Sequence, residues 1–288
     1  MSGTNSADFT YLNQRLSLAI SPCPNDTMIF GPWIQNLLPN STAPEVSFHD
    51  IQTLNERARL AEDDVIKVSF HAAGHLLRDY QLLHSGGALG RGCGPLLVSK
   101  KAYSKSQLNA LPIAIPGKLT TAALLLRLWN PLLENLIELP FHEIMPAIEQ
   151  GKVAAGAIIH ESRFTYPEHG LQAIVDLGEW WETETGAPIP LGGILIRRSF
   201  GRQIIQAVER TIQQSLRFAW ENPTQVQPFI ALHAQEMDVD VQRQHIELYV
   251  NDFSFAYGME GERAIRVLFE RATQAGFFPP NAINRLFR

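Results

Sequence analysis

Short apolar runs alternate along the chain with stretches whose apolar residues recur every three or four positions, the pattern of strands followed by helices. Residues 16–20 predict a first strand and 26–38 the helix after it. Residues 46–51 and 65–70 predict two more strands, and 72–80 a helix. Between them Thr53-Leu-Asn-Glu56 reads as a capping box, in which the Thr and Glu side chains take up two free amides where a helix opens. The glycine-rich segment 86–94 predicts a loop, and 95–99 a strand leaving it.

A second series then begins. Strands are expected at 111–115, 137–139 and 154–159, with helices over 121–129 and 141–150, the latter closed by Gly151. Residues 191–196 predict another apolar strand. From Gly201 onward Ile204, Ile205, Val208, Ile212 and Ala219 repeat at helical spacing. This order predicts an α/β protein with mainly parallel strands, arranged as two lobes. Residues 1–101 and 191–288 would form a discontinuous first lobe with the C-terminal helices, and 102–190 the second. Ligands of open α/β sheets sit beyond the carboxyl ends of strands. Here those ends (21–26, 69–71, 117–121 and 160–163) carry polar residues and would face one another across a cleft suited to a small organic ligand.

Composition narrows the functional classes. The 288 residues are 45% hydrophobic and 18% charged, enough to build ordinary cores. A net charge of −5 with scattered Lys and Arg argues against a nucleic-acid partner. No apolar run reaches the length of a membrane span, and the polar opening segment 1–14 lacks the pattern of a secretory signal, so the expected location is the cytoplasm. Oligomeric state is not legible. The two cysteines, Cys23 and Cys93, suit a reducing compartment without a disulfide and are too few for a four-cysteine zinc site.

His160 follows the apolar run Ala-Ala-Gly-Ala-Ile-Ile, so it sits at a buried strand's mouth, where an imidazole can move a proton near neutral pH. The same position suits a histidine bonded to a neighbouring carbonyl. Adjacent Glu161 would point to the opposite face of a strand. Strand alternation puts Lys67 and Ser69 on one face and Val68 on the other; a solvated outer face is the ordinary explanation for the lysine. In Ser21-Pro-Cys-Pro-Asn-Asp-Thr27, Pro24 suits a first helical position, and Asn25 and Asp26 suit the positive helix end. Cys23 there is a candidate nucleophile or a packing thiol. His71 and His75 have i, i+4 spacing but no intervening acid, which favours core or surface histidines over a metal pair. The glycine loop has neither P-loop nor dinucleotide spacing and reads as a place of close backbone approach.

Four of these segments together carry a resemblance: Ser21-Pro-Cys-Pro-Asn-Asp-Thr27, Ser85-Gly-Gly-Ala-Leu-Gly-Arg-Gly92, Ile158-Ile-His-Glu-Ser-Arg-Phe-Thr-Tyr166 and Pro190-Leu-Gly192. In this order and spacing the chain, from about Leu16 to its C-terminal helices, resembles the 1,4-dihydroxy-6-naphthoate synthases, which act late in the futalosine route to menaquinone. The resemblance implies a two-lobed periplasmic-binding-protein-like fold (type 2) with the ligand cleft between lobes. It implies a carbon–carbon lyase that opens cyclic dehypoxanthine futalosine without metal or organic cofactor. By the same resemblance His160 is the proton acceptor, and Lys67, Val68, Ser69, Thr120, Thr121 and Ala122 belong to substrate-contacting segments. Leu119 and Met28 depart from common family residues without touching these groups. Chorismate dehydratase of the same pathway shares the fold and is the alternative enzyme; a solute-binding protein is the alternative of another class.

Overall fold

Strand β1 (Ser17–Ile20) feeds helix α1 (Pro24–Ile34), and β2 (Glu45–Phe48), α2 (Ile51–Leu60), β3 (Val65–Ser69) and α3 (Phe70–Leu76) continue the series. The computed structural model describes residues 15–235 and 238–287; the opening segment 1–14, read as lacking a signal, lies outside them. Two short strands, β4 (Tyr80–Leu82) and β5 (Ala88–Gly90), precede a second series. It comprises β6 (Leu96–Ser99), β7 (Ile113–Ile115), α4 (Thr121–Trp129), β8 (Leu136–Glu138) and α5 (Ile144–Glu149), then β9 (Ala155–Ile158) and α6 (Ser162–Thr165). After β10 (Gln172–Asp176) and α7 (Leu177–Thr185) the chain returns through β11 (Ile189–Arg197). It ends in α8 (Gly201–Glu221), α9 (Pro223–His233), α10 (Val239–Tyr249), α11 (Asp252–Phe255) and α12 (Gly258–Gln274).

The strands form two sheets. The first has the order β2-β1-β3-β11-β4, with β5 also paired to β11; the second is β10-β6-β9-β7-β8. Both are mixed rather than mainly parallel. The βα units pair in parallel (β1 with β2 and β3, β7 with β8 and β9), whereas β11 and β6 run against their neighbours. The physical reason is that β11 and β6 enter their sheets from the other lobe or a loop instead of through a helical crossover. Strand β6 pairs in the second sheet, although a boundary at 101 would leave it in the first lobe. We therefore propose that the chain changes lobe between β5 and β6, and again between α7 and β11.

Both faces of the first sheet are covered. Leu18, Ile20, Val65, Ile194 and Ile196 pack against α1 and the Ile205, Val208, Ile212, Leu216 and Ala219 stripe of α8. On the other face Ala19, Ile66, Val68 and Leu195 join a core that runs into the second lobe through Ile113, Leu124 and Ala157. Each such valine, leucine or isoleucine contributes about 1.5–3 kcal/mol when taken fully from water. The strands read as continuous apolar runs because they are buried on both sides.

Helix α2 begins three residues earlier than the capping-box reading predicts. Asp50 caps it, its carboxylate accepting from the amides of Gln52 and Thr53, and Thr53 also donates its hydroxyl to that carboxylate. A carboxylate caps a helix N-terminus well and here holds the threonine inside the first turn. The glycine loop does bring backbone against backbone: a Cβ on Gly94 would lie 2.3 Å from Gly178 Cα. Among the described residues, no helix is long and apolar enough to cross a membrane.

His71 is buried and His75 exposed, and the two rings pack together and against Phe278. His71 Nδ1 donates to the Thr120 carbonyl at 3.2 Å. Burial lowers its pKa to about 4, with His75 and Arg127 acting in the same direction and the Thr120 bond opposing them; burial also lowers His75. The unfolded chain therefore binds a proton near pH 6.5 that the folded chain refuses until about 4. Stability is at its full value above pH 6.5 and falls as pH drops from there toward 4, with His71 contributing on the order of 3 kcal/mol. Denaturant melts between these limits should show a slope that His71→Gln flattens; an unchanged slope would refute the assignment.

Candidate active site

The carboxyl ends of β1, β3 and β9 and the start of α4 meet at one cavity of 120 Å³ between the two sheets. From the first lobe Ser21, Asp26, Lys67, Ser69 and Gly192 line it. From the second come Thr120, Thr121, Ala122, His160 and Glu161, and Tyr249 closes one flank. All the sequence-read site residues meet here except Val68, which packs in the core on the far face of β3, as strand alternation requires.

Asp26 organises the first-lobe wall. The Ser21 amide and hydroxyl donate to Asp26 Oδ2 at 3.2 and 2.7 Å, and the Asn25 side-chain amide donates to Oδ1 at 2.9 Å. Lys67 Nζ reaches Oδ1 at 2.5 Å, with Asp26 1% and Lys67 4% exposed. The lysine is thus a buried partner and not a solvated outer-face residue. Gly192, opposite Ser69 in β11, makes room for it: a Cβ there would lie 3.0 Å from Lys67 Cε. Asn55 on α2 ties the next wall together. Its Oδ1 accepts from the Ser69 amide at 2.9 Å, and its Nδ2 donates to Ser69 Oγ and to the Leu119 carbonyl in the facing lobe.

Thr120 caps α4, accepting from the Ala123 amide at 3.2 Å and donating to the Gly117 carbonyl at 2.7 Å. The Thr121 hydroxyl donates to the Leu191 carbonyl of β11 at 2.6 Å, a bond from one lobe to the other. The amides of Thr121 and Ala122, first in the helix, have no intrahelical acceptor and sit at its positive end.

His160 stands two residues past β9 with φ 60°, a left-handed conformation that few non-glycine residues adopt. This turn breaks the strand alternation, so His160 and Glu161 both line the cavity instead of facing opposite ways. The His160 ring lies parallel to that of His245 (5.4 Å between centroids, 6° between planes), with Phe141 edge-on at 5.6 Å. Burial lowers the His160 pKa to about 4; Asp26 opposes that shift and Lys67 adds to it. Its Nδ1 is buried and has no hydrogen-bond partner. Arg163 braces this turn against the glycine loop, donating to the Gly92 and Gly94 carbonyls and pairing with Asp176 at 2.9 Å.

Cys23 precedes α1 at the cavity edge. Burial and the nearby Glu161 push its thiol well above the usual range, which opposes a thiolate nucleophile. His245, Asn55 and Tyr249 were not legible as site residues, and a buried Asn or His in a helix was the available signal for the first two.

A two-lobed α/β protein whose cleft holds a histidine with a buried, unpartnered nitrogen is a periplasmic-binding-protein fold equipped as an enzyme would be. The fold is shared with the periplasmic aliphatic sulphonate binding protein of Escherichia coli (TM-score 0.65, 13% identity, 95% of this chain and 92% of that one). A solved protein of Archaeoglobus fulgidus is more similar, with TM-score 0.86 and 31% identity over 92% of this chain and 98% of that one. A menaquinone biosynthesis family model matches residues 16–274, and the chain belongs to that family. Its relatives include a 1,4-dihydroxy-6-naphthoate synthase of Streptomyces coelicolor, 45% identical over 92% of this chain and 95% of the relative. A protein of the same name from Thermus thermophilus is 41% identical over 93% of this chain and 97% of the relative.

Proposed function

We propose that this chain is a 1,4-dihydroxy-6-naphthoate synthase, a carbon–carbon lyase that opens cyclic dehypoxanthine futalosine, with His160 as general base. The observation that carries this reading is His160 itself: a half-buried imidazole with a buried, unpartnered Nδ1, turned by a left-handed backbone into a cavity built from both lobes. Relatives covered over nearly their whole length and named for that product support the reading. Removal of a proton near the sugar-derived carbons would start fragmentation, and aromatisation of the product would drive it. Closed lobes would shield the anionic intermediate from water. Such an enzyme of a small-molecule pathway would work in the cytoplasm, without a nucleic-acid or membrane partner.

The substrate carboxylate fits the start of α4, where the amides of Thr121 and Ala122 and the helix dipole favour an anion. Thr120→Ala should cost about 1 kcal/mol of stability as a lost cap. Thr121→Val should weaken substrate binding out of proportion to its effect on the melting temperature. Normal binding in both variants would show that neither hydroxyl contributes, and a bound-substrate structure with the carboxylate away from these amides would overturn the assignment.

Incubating the purified protein separately with cyclic dehypoxanthine futalosine and with chorismate, then identifying products by mass, tests the reading directly. The expected product is 1,4-dihydroxy-6-naphthoate. Dehydration of chorismate would establish the alternative enzyme, and binding without any product a solute-binding role.

A further inference from the structure

We infer that His160, Glu161 and His245 form a site for one divalent transition-metal cation of the zinc class, and that occupation of this site holds His160 out of proton transfer. His245, on α10, is 0% exposed, and its Nε2 lies 2.9 Å from Asn25 Oδ1. The Asn25 amide nitrogen is committed to Asp26, so its oxygen is the acceptor and His245 Nε2 carries the proton. The other ring nitrogen, Nδ1, therefore presents a lone pair. It makes no hydrogen bond, and it faces Glu161 Oε1 at 3.4 Å.

Two atoms that both offer electron pairs repel unless a positive charge lies between them. A shared proton would draw them to about 2.7–2.9 Å, the length of a charge-assisted hydrogen bond. Two ligands each about 2.0–2.1 Å from a tetrahedral ion stand roughly 3.4 Å apart. The observed separation matches the ion. His160 supplies the third donor: ligand atoms of all three residues lie within 4.8 Å of one another, a spread that a small side-chain rotation of His160 would close. The left-handed turn at His160 is what brings adjacent residues 160 and 161 to the same point.

The surroundings are those of a metal-ligating histidine. Such rings donate the distal N–H to an oxygen acceptor that fixes the tautomer, the part played here by Asn25. Two imidazoles and one carboxylate suit zinc-like ions over magnesium or calcium, which prefer all-oxygen sets. Three protein ligands leave a fourth position for water or a small anion from the cavity. An ion bound this way takes a lone pair of His160, the group proposed as base, so it would inhibit rather than assist.

Binding of the ion is measured on the protein itself, whatever reaction the protein catalyses, whereas its inhibitory effect rests on the proposed role of His160 as base. The purified full-length protein, freed of metal with a chelator, is titrated with Co2+ and followed by the visible absorption of the four-coordinate ion, then with Zn2+ by calorimetry. One ion per chain is expected, with Zn2+ displacing Co2+ and raising the melting temperature. Glu161→Gln and His245→Gln should each weaken Co2+ binding at least about tenfold. Since His245 is a core residue, melts must accompany its variant; Glu161 is partly exposed, and its variant decides the matter if the other does not fold. Absence of a saturable Co2+ band and of any Zn2+ heat would overturn the site and favour a shared proton. Undiminished affinity in Glu161→Gln would likewise overturn it, by placing the ion elsewhere.

Discussion

His160→Asn lowers turnover by on the order of a hundred- to ten-thousand-fold while the protein stays folded. Asparagine is the replacement of choice because position 160 has φ 60°, a conformation that asparagine tolerates better than most residues. The variant keeps the turn that places Glu161, Ser162 and Arg163, and removes only the imidazole. Losing the ring's contacts with His245 and Phe141 costs some packing, so a modest fall in melting temperature accompanies the loss of activity. Substrate affinity, measured by calorimetry on the inactive variant, should change far less than turnover. A variant that keeps near wild-type turnover would take His160 out of the chemistry. One that loses binding as much as turnover would make it a binding group.

The predicted elements that held best were those whose signal is local. Helix α4 was read at its observed bounds, because Thr120 caps it and an apolar run follows. The strand ends converge as expected, since strand length and alternation decide which residues leave a sheet at the same edge. What was not legible comes from pairing across the chain. Asp26 read as an acid at a helix start; its partner Lys67 meets it only because β1 and β3 are neighbours in the sheet. His245 reaches the site on a C-terminal helix whose own pattern says only that one face is buried. Glu161 was placed on the wrong side because alternation assumes extended backbone, and His160 is not extended. Strand β10 and helix α7 were missed: β10 is half exposed and its Ala173-Ile-Val175 run is flanked by polar residues, and α7 carries three glutamates around its two tryptophans. Strands β4 and β5 are three residues each, β4 broken by Gln81 and β5 lying inside the glycine-rich segment that reads as a loop.

The largest effect on stability is expected at Lys67. Replacing it with methionine keeps the length and apolar stem of the side chain and removes the charge, leaving the Asp26 carboxylate buried opposite an apolar group. Ser21 and Asn25 still donate to that carboxylate, but neither supplies a positive charge. Breaking one side of a buried ion pair typically costs about 3–5 kcal/mol, because the remaining charge has lost both water and its counter-ion. Replacing both partners removes the stranded charge. Lys67→Met combined with Asp26→Asn should therefore be more stable than Lys67→Met alone, by an amount on the order of 2 kcal/mol or more, a non-additivity that a double-mutant cycle reads directly. Lys67→Met should unfold at lower denaturant concentration with an unchanged slope. Additive effects in the cycle, or a loss under about 1 kcal/mol in the single variant, would mean that water reaches the pair and that it behaves as a surface salt bridge. Both groups line the cavity, so the same cycle measured on turnover separates their roles. If the pair only holds the wall in place, the neutral double variant regains activity together with stability; if the ammonium also touches the substrate, stability returns and turnover does not.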